Sequence, residues 1–123
     1  MPRATRALVT GATGLVGSHI VEQLLAEGAH VRALVRSPSP WLASRGVETV
    51  TGDVLDGDSF IHASLGRDVI FHTAAMITPS GGWAAFRRPN VDGTSNAVAA
   101  AERSGARLMH LHHNKHELTL FLC

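Results

Sequence analysis

The feature that most constrains this chain is a glycine triplet. Gly11, Gly14 and Gly17 stand three residues apart in Thr10-Gly11-Ala12-Thr13-Gly14-Leu15-Val16-Gly17. Ahead of them, Ala7-Leu8-Val9 is a compact apolar run that reads as a strand buried on both faces. Behind them, Val16, Ile20 and Leu24 recur every fourth residue with Val21 and Leu25 alongside, while Ser18, Glu22, Gln23 and Glu27 fall on the other side. That pattern predicts an amphipathic helix over Gly14–Glu27, stopped by Gly28. Gly11 permits a tight turn out of the strand. Gly14 lacks a Cβ, so a diphosphate can approach the backbone. Gly17 lets the helix pack closely on the sheet. The helix N-terminus then presents unpaired N–H groups and a partial positive charge to phosphate. A Gly-rich turn without a ligand is the alternative, and the strand and helix on either side argue against it.

The same alternation continues. Val31–Val35 reads as a second strand, closed by Arg36-Ser37-Pro38-Ser39-Pro40, and Val47–Thr51 as a third, ending at Gly52-Asp53. Asp56 or Asp58 caps a short helix carrying Phe60, Ile61 and Leu65 that ends at Gly66. Asp68–Thr73 is a fourth strand. Met76–Pro89 has two glycines, two prolines and no period, and reads as a loop. Asn90–Ser104 is an Ala-rich helix stopped by Gly105, and Arg107–Leu111 a fifth strand. Strands and helices alternating through short connections predict a parallel sheet with helices on both faces, a doubly wound α/β fold.

Taken in order, Thr10-Gly11-x-x-Gly14-x-x-Gly17, Gly52-Asp53-Val54, Phe71-His72-Thr73-Ala74-Ala75 and Asn90-Val91-Asp92-Gly93-Thr94-Ser95-Asn96 resemble the N-terminal part of an extended short-chain dehydrogenase/reductase. That group includes nucleotide-sugar epimerases, dehydratases and dihydroflavonol-reductase-like enzymes. The resemblance covers residues 5 to about 111. It implies a Rossmann NAD(P)-binding fold and places the diphosphate on the Gly11–Gly17 loop, with Thr13, Leu15 and Val16 between the glycines.

Arg36 ends the second strand, where dinucleotide folds usually carry an acidic residue for the ribose hydroxyls. An arginine cannot accept those hydrogen bonds, but it can donate two to a 2′-phosphate. A charge-assisted hydrogen bond changes affinity by roughly 10- to 100-fold, which favours NADP(H) over NAD(H). A solvated surface arginine is the alternative. Ser37 and Ser39 are either phosphate contacts or plain turn residues. The resemblance implies that the Asp53 carboxylate accepts from the adenine amino group while the Val54 backbone reads the ring edge. Asp53 as a turn cap is the alternative. It also implies that Thr73, Ala74 and Ala75 run beneath the ribose and nicotinamide. Asn90 matches a family asparagine near the active site and is equally a good N-cap.

The resemblance stops after Leu111. The family continues to a catalytic Ser or Thr and then Tyr-x-x-x-Lys. Here the chain runs His112-His113-Asn114-Lys115-His116-Glu117-Leu118-Thr119-Leu120-Phe121-Leu122-Cys123, without a tyrosine anywhere and with Lys115 as its one lysine. Residues 1–111 hold ten arginines and no lysine, whereas the last twelve hold three of the eight histidines and no arginine. These counts predict an incomplete dinucleotide-binding domain over 1–111, truncated after about the fifth strand, and a non-family tail over 112–123 that is read out of frame or otherwise shortened. Coding DNA with no Tyr-x-x-x-Lys in another frame beyond Leu111 would count against that hypothesis. No catalytic residue is assigned. The expected function is NAD(P)(H) binding without turnover, in a family that acts on small-molecule substrates.

Three rival readings stand beside it: an NADP(H)-sensing regulatory module, an enzyme in which His72 or His112 replaces the tyrosine, and a metal-binding tail built on His110, His112, His113 and His116. An incidental histidine cluster explains the tail as well, so no metal ligand is assigned. Lone His19, His30, His62 and His72 read as helix, turn or core residues. A net charge of +1 gives no electrostatic case for nucleic acid or anionic membrane. No run approaches the roughly 18 apolar residues of a membrane span, no targeting segment stands out, and the one cysteine, Cys123, allows no internal disulfide. The default compartment is the cytoplasm. The fifth strand is expected to be an unprotected edge, and the strand-like Leu118–Leu122 either covers it or promotes self-association.

Overall fold

A computed structural model of the chain describes residues 3–73, 82–113 and 118–122, with side chains described over 3–73 and 92–110. Its centre is one sheet of six strands: β1 (Arg6–Thr10), β2 (His30–Val35), β3 (Glu48–Thr51), β4 (Val69–His72), β5 (Arg107–His113) and β6 (Leu118–Leu122). Their spatial order is β3-β2-β1-β4-β5-β6. The first five are parallel, and β6 runs antiparallel to β5.

β1 shows why the sheet is buried on both sides. Ala7, Leu8, Val9 and Thr10 are all fully inaccessible to solvent. Successive strand residues point to opposite faces. Ala7 and Val9 therefore join Val21 and Leu24 of α1 (Leu15–Ala26) and Leu42 of α2 (Pro40–Ser44) on one face. Leu8 joins Phe60 and Ala63 of α3 (Gly57–Ser64) and Ala97 and Ala100 of α4 (Gly82–Ser104) on the other. The predicted two-sided α/β arrangement is what the chain adopts.

Local chemistry sets the helix ends. Ser39 accepts from the Leu42 N–H and Pro40 opens α2, a pairing that fits a first turn. Asp56 accepts from the Asp58 and Ser59 N–H groups at the start of α3. Arg32, on β2, donates to the Ala63 and Leu65 carbonyls at the other end of α3 and pairs with Glu48.

Four expectations need correction. α2 is not among the expected elements; its signal is Ser39-Pro40, which the sequence reading gives as part of a turn, with Ser39 a phosphate contact or a turn residue. Gly82–Pro89 belongs to α4 rather than to a loop; the Trp83-Ala84-Ala85-Phe86 stretch continues the helix and Pro89 does not break it. Met76–Gly81, the rest of that expected loop, lies outside the described residues. Leu65 is the C-cap of α3 and is 51% exposed, because its φ and ψ turn it out of the helical face. Finally, β5 is not left as an open edge; of the two outcomes expected for Leu118–Leu122, covering that edge is the one seen. It runs on to His113 and is covered by β6, from Met109↔Leu122 to His113↔Leu118. The free edges of the sheet are β3 and β6.

Candidate cofactor-binding site

The parallel register brings most of the expected site residues to one edge. Thr10 lies opposite Leu34 on one side and His72 on the other, and Val35 lies opposite Thr51. The turns after β1, β2, β3 and β4 therefore share the C-terminal edge of the sheet, carrying Gly11, Arg36, Asp53 and Thr73. From β1 the chain steps outward to β2 and β3, then returns to the other side of β1 for β4. The strand order reverses between β1 and β4, the point at which open α/β sheets bind ligands.

The glycine turn is tight. Gly11 has φ +65°, and a Cβ there would lie 2.7 Å from Thr73 Oγ1. A Cβ on Gly17 would lie 2.6 Å from the Gly11 carbonyl carbon and 2.9 Å from Thr73 Oγ1. Both positions exclude a side chain by contact with the chain itself. Gly14 differs: a Cβ there would meet only the Gly11 carbonyl oxygen, at 3.3 Å. Gly14 is the N-cap of α1, no side chain caps that terminus, and no acidic residue lies in its first turn. Thr13, Gly14 and Leu15 are exposed, and Val16 is half-buried. The Gly14 N–H is taken by the Gly11 carbonyl at 3.0 Å, but the amides that follow it, at the uncapped start of α1 beside a residue without a Cβ, fit a diphosphate.

Arg36 is exposed at the end of β2. Ser39, one of the two serines weighed as a phosphate contact, is the α2 cap. Asp53 Oδ1 accepts from the Leu55 N–H at 2.9 Å, so the turn-capping role holds. Ser59 braces the same turn: its hydroxyl accepts from the Asp53 N–H and donates to the Asp53 and Asp56 carbonyls. Val54 is half-buried, and its carbonyl accepts from Asn96 Nδ2 at 2.8 Å. Thr73 ties β4 to β1, its N–H donating to Thr10 Oγ1 at 3.2 Å and its hydroxyl to the Thr10 carbonyl at 2.5 Å. Ala74 and Ala75 lie outside the described residues, and nothing is described of the Asn90 side chain.

Several residues have supporting roles that sequence reasoning does not assign: Thr10, His72, Gly93 and Asn96 stand in its motifs without one, and Ser59 is not singled out at all. Gly93 and Asn96 are three apart on α4, a spacing that puts them on one face, and this was the available signal. His72 is 3% exposed and its Nδ1 is 2.8 Å from Thr10 Oγ1. Its ring stacks near Phe60 and His110, with centroids 5.8 and 5.2 Å away. Burial first, and the neighbouring His110 second, push its pKa down to about 4. It is the core histidine expected of it. Among the described residues no group of three or more His, Cys, Asp or Glu side chains is placed to hold a metal ion. His116 lies outside them.

Fold and edge together define a parallel α/β dinucleotide-binding domain. A family model described as NAD(P)H-binding matches residues 11–112. The chain belongs to this NAD(P)H-binding family, and within it to the short-chain dehydrogenases/reductases of the epimerase and dihydroflavonol-reductase-like kind. It is 41% identical over 109 residues to a 3-beta-hydroxysteroid dehydrogenase of Mycolicibacterium neoaurum, a match covering 83% of this chain and 30% of the relative. It is 40% identical over 104 residues to a putative dihydroflavonol 4-reductase of Synechocystis, covering 79% of this chain and 29% of that one. A short-chain dehydrogenase/reductase superfamily protein from Agrobacterium tumefaciens, solved with bound NAD, superposes with a TM-score of 0.71 at 29% identity, covering 85% of this chain and 31% of that chain. The chain thus spans about 30% of the length of these curated relatives. No described helix is long and apolar enough to cross a membrane.

Proposed function

We propose that these 123 residues are the nucleotide-holding part of an NAD(P)-dependent reductase or epimerase, and that they take NADP(H) in preference to NAD(H). A bound nicotinamide dinucleotide supplies or accepts a hydride. This chain's residues hold it. The amides of Leu15 and Val16, beside the Cβ-less Gly14, receive the diphosphate, with Gly11 and Gly17 setting the turn and Thr13 flanking it. Asp53 and the Val54 backbone meet the adenine. Arg36 meets the 2′-phosphate. Thr73, Ala74 and Ala75 carry the ribose and nicotinamide. The observation that carries the reading is the uncapped glycine N-terminus of α1 on the same sheet edge as an exposed arginine.

The relatives, a hydroxysteroid dehydrogenase and a dihydroflavonol reductase among them, suggest a substrate with a carbonyl or secondary hydroxyl group. Turnover is not expected from these residues alone, since Tyr-x-x-x-Lys requires a tyrosine and the chain has none. A second reading is an NADP(H)-sensing regulatory module, whose mark is NADPH-dependent association with another protein.

The test is a fluorescence titration with NADPH and NADH, on the chain as it stands and on Arg36→Ala. NADPH should bind about tenfold or more tighter than NADH, and Arg36→Ala should erase most of that difference. Equal affinities in the unsubstituted chain would overturn the cofactor preference. Absence of any saturable binding would overturn the holding role itself.

A further inference from the structure

His72 is buried, polar and unused by the reading above, although it sits one residue from the sheet edge. Its position in the β1–β4 register is opposite Thr10. Its Nδ1 and Thr10 Oγ1 are 2.8 Å apart. Thr10 Oγ1 also accepts from the Thr73 N–H, and the Thr10 carbonyl accepts from the Thr73 hydroxyl. Thr73 Oγ1 is the atom that a Cβ on Gly11 would meet at 2.7 Å and a Cβ on Gly17 at 2.9 Å. The glycine turn therefore closes onto Thr73, Thr73 is fixed by Thr10, and Thr10 is fixed by His72.

We infer that His72 is a positioning residue for nucleotide binding: through Thr10 it fixes Thr73, the floor against which Gly11 and Gly17 close. The inference rests on the proposed nucleotide-holding role. A histidine suits the position because the ring is packed on three sides. Phe60 lies on α3, His110 on β5, and the site of a Gly93 Cβ is 3.8 Å from its Cε1 and Nε2. Packing fixes the ring plane, and the fixed ring aims Nδ1 at Thr10. A residue that merely filled the core would need no polar atom there. A hydrogen-bonded side chain buried this deeply is costly to place unless its partner is present.

Three variants separate the roles. His72→Phe keeps an aromatic ring and loses Nδ1. His72→Asn keeps a polar atom at the δ position and loses the ring. Thr10→Val removes the hydroxyl and keeps the shape. NADPH affinity should fall about tenfold in His72→Phe and in Thr10→Val, and return to within about threefold in His72→Asn. His72→Phe or Thr10→Val binding like the unsubstituted chain would overturn the inference. So would His72→Asn binding as poorly as His72→Phe. Amide hydrogen exchange supplies a second readout that needs no nucleotide. The Gly14, Ser18 and Thr73 amides should exchange faster in Thr10→Val and His72→Phe, and near the original rate in His72→Asn. Unchanged exchange there overturns the positioning role even if a binding defect appears. If the unsubstituted chain binds no nucleotide, the holding role fails, and the exchange pattern alone decides whether His72 organises the turn.

Discussion

At the scale of single residues, His72 links the site to pH. Its pKa is about 4 in the fold, against an ordinary 6.5, because burial and then His110 disfavour the charged ring. Between those values the unfolded chain binds a proton that the native chain excludes. Stability is therefore complete above pH 6.5 and declines as pH falls toward 4, by at most about 3 kcal/mol. Urea midpoints measured from pH 7 to 4.5 should fall, and His72→Phe should flatten that slope; an equal slope in the variant would remove His72 as its source. Asp68 acts in the same direction but in a lower window. Hydrogen bonds from the Arg6 backbone and the Arg3 guanidinium hold its pKa below 3.8, so its contribution is lost only in stronger acid. Arg36 shows the opposite relation to structure. It is exposed, and its meaning rests on its place just past the end of β2.

At the scale of elements, α3 is held at both ends by named side chains. Asp56 caps its N-terminus. Arg32 reaches from β2 to its last carbonyls. α3 packs on α4, and Asn96 of α4 in turn fixes Val54, next to Asp53. Asp56→Ala should lower stability by about 1 kcal/mol, read from urea denaturation. An unchanged midpoint would mean that Ser59, which also bonds the Asp56 carbonyl, carries the turn without the cap. The aspartate was legible in advance because an acidic residue ahead of an apolar helical run is a standard start signal. The Asn96–Val54 bond was not, since it joins residues 42 positions apart.

At the scale of the whole molecule, the sheet ends in β6, and among the described residues no strand lies beside its outer backbone groups. Leu118-Thr119-Leu120-Phe121-Leu122 is an apolar strand on an open edge. Such edges invite pairing with another chain. Sedimentation should show concentration-dependent self-association, and Thr119→Lys, which places a charge on that strand, should reduce it. A monomer at all concentrations, unchanged by the lysine, would show that the edge is protected.

The sequence by itself determined the strand–turn–helix unit and the alternation that builds a parallel sheet. Those depend on apolar period, on glycine geometry and on caps, all of which act within a few residues. Gly11, Arg36, Asp53 and Thr73 were legible as positions just past the end of a strand, and Gly14 and Gly17 as positions at and inside the start of the helix that follows. Only the tertiary structure decided which elements meet. It placed β6 on β5, extended α4 back through Pro89, and set His72 against Thr10 across 62 positions of chain. Pairing of this kind depends on which surfaces lose water together, and that is settled by packing the whole sheet rather than by any local pattern.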